Sequence, residues 1–164
     1  AHGDDGIRGA SDAGVASIEH GTWMSADTIK AVKANGTWYV PTLAALTGLQ
    51  ERVGKGIFTP AVEKKATDTL ASWGKALEAA NRAGVRIAFG TDAGVIEHGR
   101  NAEEFQLMVE KGGMTQRAAL VAATTAAAEL LGLGAEIGTI AAGKSADIIA
   151  VDGDPLVDPR ALLR

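Results

Sequence analysis

Three times within the first ninety residues a helical run closes on a glycine and feeds a short apolar stretch, and this repeat constrains the fold more than any other feature of the chain. Asp12-Ala13-Gly14-Val15 leads into Ser17-Ile18-Glu19-His20, and Ala34-Asn35-Gly36-Thr37 leads into Trp38-Tyr39-Val40-Pro41. Arg82-Ala83-Gly84-Val85 then leads into Arg86-Ile87-Ala88-Phe89-Gly90-Thr91-Asp92-Ala93-Gly94. Glycine accepts the left-handed backbone that ends a helix before the chain turns into a strand. Helix, glycine, strand, polar loop, helix is the rhythm of βα units and a parallel sheet. The predicted class is therefore α/β.

The third copy predicts most about chemistry. Side chains of a strand alternate faces, so Val85, Ile87 and Phe89 share an apolar face, while Ala88, Gly90 and Asp92 share the other. Ligands and catalytic groups collect at strand ends in α/β folds, which makes Asp92 the first residue to explain.

Helix signals fill the intervals. Ser25 is placed to cap a helix running to about Lys33. Thr59-Pro60 opens a long helix whose apolar stripe is Val62, Ala66, Leu70, Trp73, Leu77 and Ala80, with Gly74 as a possible bend. Asn101 is expected to cap a helix from Ala102 to Lys111, and Thr115 an alanine-rich one through Leu131. From Glu136 the pattern changes: Ile137-Gly138-Thr139-Ile140 and Ala146-Asp147-Ile148-Ile149-Ala150-Val151 read as two strands joined by a turn, a small β element outside the βα body. The connection from Thr47 to Thr59 reads either as a lid or as a plain surface loop.

Composition narrows the function. A chain of 164 residues can bury roughly 70% of its unfolded surface in one core. A net charge of -4 with Lys and Arg scattered along the chain argues against nucleic acid as a partner. No apolar run approaches the roughly 20 residues of a membrane span. The absence of cysteine excludes disulfides and thiolate metal sites. The chain opens without a signal-like segment, so targeting is expected to be encoded elsewhere, with the cytoplasm as no more than a default.

Four polar residues stand at predicted strand ends or just beyond: His2, His20, Asp92 and His98. Imidazole and carboxylate suit zinc and similar divalent ions, which in catalytic sites keep a coordination position for water. A carboxylate beside such an ion can serve as general base and then general acid. Each residue also has an ordinary reading. A strand-end histidine can be a hydrogen-bonded surface group, and Asp92 can close an Asx-turn or cap the next helix. A phosphate cradle at Gly90 to Gly94 is disfavoured, because that turn lacks a Gly-Lys-Ser/Thr ending. Glu19 reads either as a buried functional carboxylate or, by preference, as the partner in a salt bridge with a neighbouring helix, and Trp23, Trp38 and Trp73 read as packing residues.

Taken in order, the motifs resemble the amidohydrolase superfamily, in its imidazolonepropionase-like and Xaa-Pro-dipeptidase-like branch. The resemblance rests on Ala1-His2-Gly3, Ile18-Glu19-His20-Gly21, Tyr39-Val40-Pro41-Thr42 and Gly90-Thr91-Asp92-Ala93-Gly94 with His98-Gly99 and Asn101. It continues through Ala122-Ala123-Thr124, Gly138-Thr139-Ile140 and Gly143-Lys144-Ser145-Ala146-Asp147.

What the resemblance implies is a partial (β/α)8 barrel, about strands five to eight with their helices, over residues 1–133. Residues 134–164 would form a C-terminal piece of a small β domain. It implies metal ligation by His2, His20 and Asp92, catalysis by Asp92, and substrate contact by His98 and Tyr39. The cofactor implied is a divalent metal, zinc first, as one or two ions in a longer parent. Because the family's remaining ligands would precede His2, the chain is expected to be the C-terminal half of a hydrolase of carbon-nitrogen bonds, inactive alone. Self-association or pairing with an N-terminal half is expected, and the substrate would be a small amide, peptide or cyclic amide. The alternatives are a deaminase or one-metal member of the same superfamily, and a non-catalytic α/β scaffold without metal.

Overall fold

The computed structural model describes residues 1–163. In chain order the elements are α1 (Asp4–Asp12), β1 (Ser17–Glu19), α2 (Ala26–Ala34), β2 (Trp38–Val40), α3 (Leu43–Gln50), α4 (Pro60–Ala71), α5 (Lys75–Ala83), α6 (Glu103–Glu110), α7 (Gln116–Val121), a π-helical turn (Ala122–Ala126), α8 (Ala127–Leu130) and a 3-10 turn (Pro159–Leu163).

β1 and β2 pair in parallel, with Ser17 opposite Trp38, Ile18 opposite Tyr39 and Glu19 opposite Val40. The third predicted strand joins the free side of β2 more briefly than expected. Tyr39 N–H donates to Arg86 O at 2.8 Å and Ala88 N–H to Tyr39 O at 3.0 Å, which makes one parallel bridge between Tyr39 and Ile87. The ladder stops there because the next inward amide, Phe89 N–H, goes instead to Ala122 O at 3.0 Å. Ala122 opens the π-helical turn, where the wider i to i+5 winding displaces a carbonyl from its usual partner and leaves it available outside the helix. Strand and helix are thus pinned together by a backbone bond.

The alternation of faces holds. Val85, Ile87 and Phe89 pack with Ile18, Tyr39 and the helices in the main core, while Ala88 packs with Trp38 and Val40 on the opposite face. The glycines behave as their positions require: Gly14, Gly36 and Gly84 have φ of 84°, 69° and 75°.

Capping is mixed. Ser25 and Thr115 accept from Thr28 N–H and Ala118 N–H, as expected. Thr59 makes no side-chain cap, and the long helix it opens is two helices, separated at Gly74 with φ 81°. Asn101 does not cap α6, whose N-cap is Ala102; its amide donates to Thr91 Oγ1 at 2.9 Å and its carbonyl accepts from Gly99 N–H at 3.2 Å. It ties the loop after the third strand to that strand's end. The Thr47 to Thr59 connection is helical through Gln50 and then winds through turns.

The two strands expected after Glu136 are not paired into a sheet among the described residues. Ile140, Ile148 and Ile149 are 86%, 61% and 80% exposed. A strand apolar on consecutive positions needs cover on both faces, and no described element supplies it.

Candidate functional site

Every strand of the small sheet ends at one cavity. It has a volume of about 320 Å³ and is lined by His2, His20, Tyr39, Thr42 and Asp92, with Leu43, Leu46, Leu49, Val62 and Val95 as apolar wall and Lys65 among the lining residues. Of the described residues other than glycine, three have positive φ: His20 at 70°, Thr42 at 50° and Asp92 at 56°. Each follows one of the three parallel segments, and each faces the cavity. Left-handed backbone at such residues costs of order 1–3 kcal/mol, persists only where surroundings enforce it, and clusters at functional sites. The strain is concentrated where the polar side chains meet.

Backbone bonds fix His2 beside His20. Gly21 N–H donates to Ala1 O and Trp23 N–H to His2 O, both at 3.0 Å, so the segment carrying His2 runs along the end of β1. The two rings stack with centroids 4.7 Å apart and planes 7° from parallel. Nδ1 of His2 bonds Thr22 Oγ1 at 2.8 Å, and Nδ1 of His20 bonds Thr42 Oγ1 at 2.7 Å. Both rings therefore use the same nitrogen for a threonine hydroxyl and keep Nε2 free. Burial pushes the His2 pKa down, helped by His20, the amino terminus and Lys65 and opposed by Asp92. A neutral imidazole with a free nitrogen is the metal-binding form.

The third expected ligand stands apart. Asp92 lines the cavity and its carboxylate has no hydrogen-bond partner among the described residues, so neither the Asx-turn nor the cap reading of its side chain applies; its backbone carbonyl accepts from Val95 N–H at 3.1 Å. Among the described residues no group of three His, Cys, Asp or Glu lies close enough to hold a metal ion. What the cavity assembles is a stacked pair of imidazoles, of the ligand type that suits a divalent ion, with the Asp92 carboxylate on the same cavity but outside that pair.

The proposed substrate contacts are placed less favourably. Tyr39 is 1% exposed and its hydroxyl donates to His20 O at 2.9 Å; burial, then Glu104, push that hydroxyl's pKa up. His98 is exposed and does not line the cavity. Glu19 makes no salt bridge and accepts from Ser17 Oγ at 2.5 Å.

Three neighbours of the site escape a reading by strand ends. Thr22 and Thr42 orient the rings. Glu104, on α6, is fully buried and accepts from Leu43 N–H at 2.9 Å and Ala44 N–H at 2.6 Å, satisfying two amides at the start of α3 that have no helical partner. Burial raises its pKa to about 7 against the pull of those two amides. The sequence held a signal for it, since Glu104 lies four residues before the buried Met108, on one helical face.

One motif outside the site resolves negatively. Residues 138–145, Gly138 through Gly143-Lys144-Ser145, have the spacing of a phosphate-binding loop, which requires a strand before and a helix after. Neither flanks it, and Lys144 Nζ donates to Gly134 O at 2.7 Å and Ile137 O at 3.2 Å, closing the loop on itself.

Comparison with known proteins is consistent along the whole chain. The sequence model of the amidohydrolase family matches residues 1–164. Ochratoxinase of Aspergillus niger is 36% identical over 159 residues, which is 96% of this chain and 32% of that protein. An uncharacterised protein of Mycobacterium tuberculosis is 36% identical over 163 residues, 97% of this chain and 42% of the relative. Among solved structures, a Xaa-Pro dipeptidase with methionine bound in its active site superposes with a TM-score of 0.94 at 43% identity, over 99% of this chain and 40% of that one. The crystal structure of A. niger ochratoxinase gives 0.85 at 34% identity, over 99% and 37%. The chain thus spans between about a third and two fifths of the relatives it matches.

Proposed function

Because this chain belongs to the amidohydrolase family, we propose that it carries one side of the active site of a metal-dependent hydrolase of amide or peptide bonds. In this reading the three parallel segments are part of a (β/α)8 barrel, with the cavity at the ends of its strands. The observation that carries the proposal is the stacked His2 and His20 pair, each ring anchored at Nδ1 by a threonine hydroxyl, in one cavity with Asp92.

His2 and His20 would hold a divalent cation through Nε2, and zinc is the first candidate for an imidazole site. Such a cation, when bound, supplies Lewis-acid chemistry and makes water nucleophilic at neutral pH. The chain's own residues do the rest. Thr22 and Thr42 hold the rings in one orientation. Asp92, whose carboxylate is unpartnered among the described residues, accepts a proton from the attacking water and delivers it to the departing nitrogen as the carbon-nitrogen bond breaks. The apolar wall of Leu43, Leu46, Leu49, Val62 and Val95 takes an apolar substrate side chain and excludes bulk water. Lys65 pairs with no carboxylate among the described residues and acts on His2 electrostatically, so it offers its charge to an anionic end of a dipeptide-sized substrate.

A second reading, a scaffold without metal, is favoured by one observation: Asp92 does not join the two histidines in a three-residue cluster. Elemental mass spectrometry separates the two. It is run on this chain, and on this chain mixed with a separately produced segment equivalent to the rest of a relative. Stoichiometric metal that is lost in His20→Ala, together with hydrolysis that is lost in Asp92→Ala, is the expected result. A folded mixture without metal or amide hydrolysis would leave the scaffold.

A further inference from the structure

Glu104 is the one fully buried carboxylate among the described residues, and it has no part in the chemistry above. Its two oxygens hold the amides of Leu43 and Ala44, the residues that follow Thr42. Thr42 sits at φ 50°, a conformation unfavourable for a β-branched residue unless its neighbours hold it there. Clamping the next two amides from α6 is such a hold. In that conformation the Thr42 hydroxyl donates its single proton to Pro41 O at 2.8 Å. A hydroxyl has one proton and two lone pairs, so toward His20 it is left as an acceptor. At 2.7 Å its partner, His20 Nδ1, must then be the donor, which leaves the lone pair on Nε2.

We infer that Glu104 is a positioning residue: from α6 it holds Thr42 in its left-handed turn, and through the Thr42 hydroxyl it keeps His20 in the Nδ1–H tautomer with Nε2 open to the cavity. The purpose assigned to that tautomer rests on reading His20 as a metal ligand. The tautomer itself does not. It is a property of the metal-free chain, and it is measured without metal or substrate.

The chain has three histidines, so two-bond nitrogen-proton correlation spectra of the 15N-labelled protein resolve every ring, with His→Gln substitutions for assignment. At about pH 8.5, above the ordinary imidazole range, His20 should be Nδ1–H. A wild-type His20 in the Nε2–H form overturns the inference. Glu104→Gln keeps the side chain's shape but turns a donor toward one of the two amides, and Thr42→Val removes the acceptor. Each should move the His20 tautomer ratio toward Nε2–H by roughly fivefold, the net worth of one hydrogen bond, while Thr42→Ser retains the wild-type ratio. A merely structural carboxylate would lower stability and leave the ratio unchanged, so an unmoved His20 in folded Glu104→Gln overturns the assignment. Should that variant fail to fold, Glu104→Asp, which keeps the charge but is one methylene too short to hold both amides, decides by the same spectrum. Failure to bind metal or hydrolyse amides would remove the proposed function and leave this result standing, and the reverse also holds.

Discussion

At Glu104 the cost of burial is legible as a pH dependence. Its pKa is raised to about 7 in the folded chain from an ordinary carboxylate value of about 4.3. Between those values the folded state binds more protons than the unfolded state, so stability falls as pH rises through the window and is lowest above pH 7. The size is roughly 4 kcal/mol for a shift of this order. Asp4, Asp12, Asp27 and Glu51 work in the opposite sense, since hydrogen bonds hold their pKa values down, and their contribution is lost only in more acidic solution. Thermal unfolding of the wild-type chain should therefore weaken from about pH 5 to pH 8, and the slope should flatten in Glu104→Gln. A slope identical in the two proteins would mean that Glu104 ionises freely. Lys65 makes a separate prediction at this scale. In an active preparation, Lys65→Met should raise KM about tenfold for a substrate ending in a carboxylate and leave its amidated analogue unaffected, the signature of a lost ion pair near an apolar wall. Equal effects on both substrates would remove Lys65 from recognition. His2, His20 and Asp92 were readable in the sequence because reactive residue types stood beside glycine at strand ends. Thr42 was not, because a threonine after proline has no distinguishing type, and Glu104 showed only as a carboxylate on the face of an amphipathic helix that also carries Met108; contact across sixty residues gives both their roles.

Among the elements, the break between α4 and α5 is set by close approach as much as by helix propensity. A Cβ added at Gly74 would lie 2.3 Å from Lys111 O, and the residue sits at φ 81°. Gly74→Ala combines left-handed strain with overpacking against backbone that cannot swing aside, so it should cost about 2–4 kcal/mol in urea unfolding. Gly54→Ala, also left-handed at φ 80° but in open space, isolates the conformational part and should cost about 1–2 kcal/mol. A Gly74 variant no worse than the Gly54 variant would remove the packing argument. The helix and glycine rhythm made β1, β2, α1 and α2 legible, and α4 with α5 as one long helix, since each signal is local; α3 (Leu43–Gln50) carried no such signal and was not expected. The third strand was overestimated for a reason that no local pattern carries: the amide of Phe89 is taken by Ala122, and a π-helical turn follows from where a carbonyl is needed, with no residue type that marks it. The expected strands after Glu136 have the right residues and find no partner strand among the described residues.

For the whole molecule, that missing partner has a physical consequence. Ile140, Ile148, Ile149 and Val157 are 86%, 61%, 80% and 75% exposed on backbone that forms no ladder among the described residues. Extended apolar backbone with unpaired amides seeks another edge, and exposed apolar patches are recurrent sites of association. Charge will not prevent it, since a net -4 over 164 residues is modest and no acidic cluster guards residues 137–151. The chain should therefore self-associate in a concentration-dependent way, or pair with a segment that supplies the absent strands. Burying one isoleucine is worth about 1.5–3 kcal/mol, which is at least about tenfold in a dissociation constant. Ile149→Lys should weaken association by that factor in light scattering, while leaving the far-UV spectrum and the Glu104 pH profile intact, because neither depends on this surface. Adding the complementary segment should compete with self-association and suppress it in the wild-type chain alone. A monodisperse monomer at high concentration, unchanged by Ile149→Lys, would show instead that these residues are folded away in solution, and the small β element would then form without a partner.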